Sequence, residues 1–135
     1  MKSGERICLC YMDMDGLKKV NDTYGHTEGD RLLVRFVDGV TKTLREQDFV
    51  VRMGGDEFLA IFQRQTKATV DRAMERLITK FDKENEGYDI PVRFSYGVIE
   101  IDKADALSAE EMIKSVDDEM YRHKHLRKSL AQANG

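Results

Sequence analysis

Apolar positions along the chain fall into strand-like and helix-like segments that alternate. Residues 7–12, Ile7 to Met12, form an unbroken apolar run, as expected of a strand buried on both faces. The run ends at Asp13 and Asp15. Gly16 follows, and residues 17–24 predict a short helix closed by Gly25. From Thr27 the period changes. Leu32, Leu33, Phe36, Val37, Val40 and Leu44 recur at spacings of one, three and four, which predicts a long helix with one apolar face. Phe49 to Val51 and Phe58 to Phe62 read as two strands. Gly54-Gly55 between them reads as a hairpin turn, because glycine accepts a positive φ at no steric cost.

Val70, Ala73, Met74, Leu77, Ile78 and Phe81 predict a second amphipathic helix, and the polar stretch 82–89 predicts a loop. Pro91 opens an expected strand from Val92 to Ile101, at an edge where proline is tolerated. Ser108 with Glu110 and Glu111 fits a capping box for a last helix. Its stripe is Met112, Ile113, Val116 and Met120, and residues 127–135 make a polar tail. The order β, α, α, β-hairpin, α, β, α predicts an α/β (α+β) fold. We expect one domain over residues 1–135, with a mixed, mostly antiparallel central sheet flanked by helices.

Composition narrows the function classes. The chain has 135 residues, 41% of them apolar and 35% charged, which suits one soluble, packed domain rather than disorder. A net charge of −3 argues against a nucleic-acid polymer as the main partner. It leaves room for a small phosphate ligand on a local basic cluster. No apolar run approaches the roughly 20 residues of a bilayer span, so no membrane contact by this domain is expected. Met1 to Arg6 lacks the pattern of a signal peptide. Cys8 and Cys10 are two apart on a strand, a poor geometry for a disulfide, and read as buried thiols. The domain is therefore expected to be cytoplasmic, whether or not its parent is membrane-anchored.

The acidic residues carry the candidate chemistry. Asp13 and Asp15 at a strand exit are either solvated strand-end carboxylates or the hard oxygen ligands that magnesium prefers. Gly54-Gly55-Asp56-Glu57 is either an ordinary turn or part of the same site. Glu57 runs straight into a strand, where acids are disfavoured. A hairpin lying beside the first strand brings Asp13, Asp56 and Glu57 to one sheet edge. Carboxylates packed in this way repel, and a divalent cation offsets the repulsion. Asp30 is either part of a capping box with Thr27 or an acceptor for guanine N–H groups, and Asn21 either ends a helix or pairs with guanine. Arg122, Lys124, Arg127 and Lys128 either complement a helix dipole or clamp phosphates, with Lys124 and Lys128 on one face. No P-loop, dinucleotide glycine fingerprint or zinc-type cysteine pattern is present.

Taken in order, Asp13 to His26, then Gly29-Asp30, then Arg52-Met53-Gly54-Gly55-Asp56-Glu57-Phe58, resemble the GGDEF family of diguanylate cyclases. Ser95-Tyr96-Gly97 and Asp117 to Lys124 extend the likeness to roughly residues 5–128. The resemblance implies a fold similar to the palm domain of polymerases and nucleotide cyclases. It implies an enzyme that condenses two GTP into cyclic di-GMP and two pyrophosphates, with two divalent ions (Mg²⁺ or Mn²⁺) in each half-site. By position, Asp13, Asp56, Glu57 and the Met14 carbonyl would hold metal, with Asp56 and Glu57 catalytic. Asn21 and Asp30 would read guanine. Gly16, Leu17, Lys124 and Lys128 would cradle phosphates, beside Gly54 and Gly55. The resemblance also implies a homodimer, since each domain holds one GTP.

Arg45-Glu46-Gln47-Asp48 stands where the family carries its inhibitory R-x-x-D motif, so Arg45 and Asp48, assisted by Arg76, are expected to bind cyclic di-GMP. Leu17 replaces the family's usual phenylalanine, and Arg127-Lys128 its usual Gly-Arg. The family's usual stretch before the first strand has no counterpart here, so a trimmed domain is expected. A catalytically silent domain that senses cyclic di-GMP or GTP is the alternative reading. The complete set Asp13, Asn21, Asp30, Asp56 and Glu57 favours the enzyme.

Overall fold

The computed structural model describes residues 6–102 together with 111, 114, 118, 121, 122 and 125. Strand β1 (Arg6–Met14) is followed by helices α1 (Leu17–Tyr24) and α2 (His26–Thr43). Strands β2 (Phe49–Arg52) and β3 (Glu57–Gln63), helix α3 (Lys67–Asn85) and strand β4 (Phe94–Asp102) complete the described elements. The six described positions beyond residue 110 are helical. Ser108, Met112, Ile113, Val116 and Met120, expected to cap and line that helix, lie outside the described residues, as does the tail 127–135.

The sheet order is β2-β3-β1-β4, and every described pairing is antiparallel. β1 is thus an interior strand, which explains why its run is apolar on both faces. On one face Cys8, Cys10, Met12 and Met14 join Phe58, Ala60 and Phe62 of β3 and Phe94, Tyr96 and Val98 of β4. Helices α2 and α3 cover this face with Leu32, Phe36, Val40, Val70, Met74, Leu77 and Phe81. The opposite face carries a smaller cluster: buried Leu9 and Tyr11, with Ile7, Leu59, Ile61, Ile99 and Ile101 against them. Both thiols are buried and free. Burial pushes the Cys8 thiol up to about 11 and Cys10 further still, so neither forms a reactive thiolate at neutral pH.

Three boundaries differ from the sequence pattern, each for a local reason. Helix α3 runs on to Asn85 through polar 82–84, because these residues are exposed and Lys83 and Glu84 are good helix formers. Strand β4 begins at Phe94 rather than Val92, because the Val92 amide and carbonyl are taken by the Asn85 side chain at 2.9 and 3.0 Å. Helix α2 is capped by Gly25 with no side-chain bond, so Thr27 and Asp30 form no capping box. The Gly54-Gly55 turn also departs from expectation: neither glycine takes a left-handed φ. The connection is a four-residue loop in which the Met53 and Gly54 amides both donate to the Glu57 carbonyl. Among the described glycines, positive φ values occur instead at Gly16 (77°) and Gly25 (92°), where the chain turns from β1 into α1 and from α1 into α2.

Candidate active site

The interior position of β1 and its sharp exit build the acidic end of the sheet. Asp13 stands directly opposite Glu57 in the β1–β3 ladder and opposite Ser95 in the β1–β4 ladder. One residue on, the Met14 amide donates to the Asp56 carbonyl at 2.9 Å, which ties the loop to β1. Oδ1 of Asp13 is closed off from solvent. The Tyr11 hydroxyl donates to Oε2 of Glu57 at 2.5 Å. Arg52 closes the loop from outside, donating from Nε to the Gly54 carbonyl at 3.0 Å and from its terminal nitrogen to the Gly55 carbonyl at 2.6 Å.

The expected convergence therefore forms in part, and two points are corrected. Asp13 and Glu57 meet at the end of an interior strand, not at a sheet edge, because β1 lies between β3 and β4. Among the described residues, no three His, Cys, Asp or Glu side chains stand close enough together to hold a metal ion. Asp13 and Glu57 are cross-strand neighbours, whereas Asp56 is placed through its backbone. The Ser95 hydroxyl lies 3.4 Å from Asp15 Oδ1, and the Asp15 amide donates to the Arg93 carbonyl.

Next to this acidic end, the α1–α2 corner forms a second feature. Gly16, left-handed, starts α1, so the amides of Gly16 and Leu17 head a helix whose first N–H groups lack intrahelical acceptors. The Leu17 side chain is buried in the main core cluster. Asn21 of α1 lies hard against Gly29 of α2. A Cβ placed on Gly29 would come within 1.7 Å of Asn21 Oδ1. Asp30 is exposed beside that contact, free of any capping duty.

A family model, "Diguanylate cyclase, GGDEF domain", matches residues 1–129. The chain belongs to the GGDEF family. It is 30% identical over 125 residues to the bifunctional diguanylate cyclase/cyclic di-GMP phosphodiesterase MucR of Pseudomonas aeruginosa, covering 92% of this chain and 18% of MucR. It is 32% identical over 123 residues to the probable diguanylate cyclase DgcT of Escherichia coli, covering 87% of this chain and 27% of DgcT. The GGDEF domain of Caulobacter crescentus DgcB, solved in complex with c-di-GMP, superposes with a TM-score of 0.79 at 25% identity, over 90% of this chain and 74% of that one. The chain thus spans less than a third of either curated relative.

In this GGDEF domain the R-x-x-D segment lies away from the acidic end. Asp48 is buried and accepts from the Arg45 amide at 3.0 Å, from Arg45 Nε at 3.2 Å and from the Gln63 amide at 3.0 Å. Burial alone would raise its pKa. The bonds from Arg45 and the Gln63 amide outweigh that and hold the carboxyl below its ordinary range. Arg45 also donates to the Gln63 carbonyl. Arg45 and Arg76 line one groove of about 540 Å³, together with Lys42 and Lys80. Lys124 and Lys128 lie outside the described residues; Arg122 is helical and exposed.

Two residues at the site escaped the sequence reading. Arg52 entered only as part of the motif, and nothing in a linear pattern marks a guanidinium as the clasp on the loop that follows it. Tyr11 was legible. It is the polar-tipped residue of an apolar strand, two before Asp13 and therefore on the same face.

Proposed function

We propose that this chain is an active diguanylate cyclase domain, and the observation that carries the reading is Asp13 facing Glu57 across the β1–β3 pair beside the clasped Gly54-Gly55 loop. The donor set suits a hard divalent ion such as Mg²⁺ or Mn²⁺, because it consists of carboxylates and a neighbouring carbonyl with one Asp13 oxygen already withdrawn from water. Asp13 and Glu57, which face each other, would hold it, with Asp56, the Met14 carbonyl and phosphate oxygens of the nucleotide completing the set. When bound, two such ions supply charge stabilisation to the nucleotide phosphates and favour ionisation of the attacking hydroxyl. The chain's own residues do the rest. Asn21 and Asp30 hold guanine in the α1–α2 corner. The Gly16 and Leu17 amides receive phosphate oxygens, joined by Lys124 and Lys128. Asp56 and Glu57 accept the proton from the 3′-hydroxyl.

In the reaction, each 3′-oxygen bonds to the α-phosphorus of the GTP on the opposite domain. The bond from that phosphorus to the β-phosphate bridge breaks, and pyrophosphate leaves. Two such steps close the ring, so the working unit is a homodimer. Incubation with GTP and Mg²⁺ is expected to yield two pyrophosphates per cyclic di-GMP, with specific activity that rises with protein concentration. GTP or cyclic di-GMP binding without turnover in a forced dimer would replace this reading with the sensor.

The Asn21–Gly29 contact gives a selective test. In Gly29→Ala the new methyl displaces the Asn21 amide, a side-chain end that moves at little cost, and alanine favours the helix. Stability is expected to hold or rise. GTP affinity is expected to fall about tenfold, the scale of one lost hydrogen bond to a base. Calorimetric titration beside thermal unfolding separates the two effects.

The basic groove is the proposed site for the inhibitory product. Arg45 and Arg76 would meet its phosphates and guanines, with buried Asp48 holding Arg45 in place. Arg45→Ala is expected to raise the inhibition constant for cyclic di-GMP at least tenfold with turnover unchanged, read from initial rates at increasing product. Unchanged inhibition would remove the assignment.

A further inference from the structure

Tyr11 is 5% exposed, yet its hydroxyl reaches a carboxylate at the acidic end of the sheet. It lies on the face of β1 that carries Asp13, two residues earlier, and Glu57 is the cross-strand partner of Asp13. Tyr11 and Glu57 are therefore diagonal neighbours, a separation that a long aromatic side chain spans. The ladder partner of Tyr11 on β4 is Gly97, which contributes no side chain of its own. The ring is packed with Leu9 in the smaller apolar cluster, so the hydroxyl is delivered from a fixed base.

We propose that Tyr11 is a positioning residue for Glu57: its hydroxyl holds Oε2, fixes the carboxylate opposite Asp13, and leaves the remaining oxygen lone pairs for a divalent ion. The proposal rests on the reading of Glu57 as a metal-holding residue. A free glutamate facing another carboxylate turns away from it, because like charges repel and the side chain has three rotors. A bond from a buried phenol opposes both tendencies before any ion arrives. Carboxylates that hold metal are commonly fixed by such outer partners, and loss of the partner typically costs 10–100-fold in metal affinity or activity.

The test is Mn²⁺ binding, followed by electron paramagnetic resonance in the presence of a non-hydrolysable GTP analogue. Wild type, Tyr11→Phe, Glu57→Gln and the double variant are compared, with thermal unfolding alongside. Tyr11→Phe keeps the ring in its cluster and is expected to weaken Mn²⁺ about 10–100-fold. Tyr11→Leu, which keeps an apolar residue at the position, is expected to show the same loss. The double variant is expected to bind no worse than Glu57→Gln alone, since the hydroxyl acts only through that carboxylate. Wild-type Mn²⁺ affinity in Tyr11→Phe, or losses that add in the double variant, would overturn the role of Tyr11 and leave the proposed function standing. Absence of Mn²⁺ binding in the wild type would overturn both.

Discussion

Asp13→Asn is expected to slow cyclic di-GMP formation about a thousandfold without unfolding the domain. A metal-bound phosphoryl transfer draws several kcal/mol from charge stabilisation. A loss of about 4 kcal/mol corresponds to about three decades in rate. Asparagine keeps the shape of aspartate and removes the charge that faces Glu57 across β1 and β3. Like charges directly opposite in a ladder are destabilising by about 0.2–1 kcal/mol, so the metal-free variant should unfold at the same temperature or slightly higher. Loss of activity together with held or raised stability distinguishes a metal-holding aspartate from a structural one. Rates from product chromatography, and melting in the presence of a chelator, check both halves.

Phe36→Ala is expected to be the most destabilising single truncation, by about 3–5 kcal/mol. Phe36 is fully buried under α2. Its ring centroid lies 5.2 Å from Phe58 and from Phe94, and 6.1 Å from Phe81, so one side chain joins α2 to β3, β4 and α3. A cavity among rigid rings collapses poorly, and domains are stable by only about 5–15 kcal/mol in total. Val34→Ala on the same helix is the control: Val34 is 68% exposed, and its truncation should change stability by no more than about 0.5 kcal/mol. Urea midpoints of the two variants measure the contrast. A shift below about 1 kcal/mol for Phe36→Ala would show that the aromatic cluster does not organise the core.

What was legible in the sequence follows from the range of the interactions involved. The apolar runs and stripes of β1, α2 and α3 register burial directly, so their existence and type were readable. Element ends depend on side chains far away in sequence. Asn85 takes the Val92 backbone and so delays β4, while Gly25 rather than Thr27 opens α2. The Gly-Gly turn read as left-handed because glycine permits that conformation, yet the loop obtains its hydrogen bonds from the Glu57 carbonyl without it. The strand end at Asp13 was readable. That it ends in the interior of the sheet was not, because strand order appears only once β1 has paired with both β3 and β4. Arg45 and Arg76 lie 31 positions apart in sequence and line one groove, a proximity that family position suggested and periodicity did not.

In the proposed reaction the acidic end of this sheet joins two GTP molecules. The most direct measurement is chromatographic identification of the product at high protein concentration with GTP and Mg²⁺, wild type beside Glu57→Gln. Cyclic di-GMP is expected from the wild type and essentially none from Glu57→Gln. Cyclic di-GMP from both proteins would contradict the assignment of Glu57. No product from a wild type that is dimeric and binds GTP would contradict the cyclase activity itself.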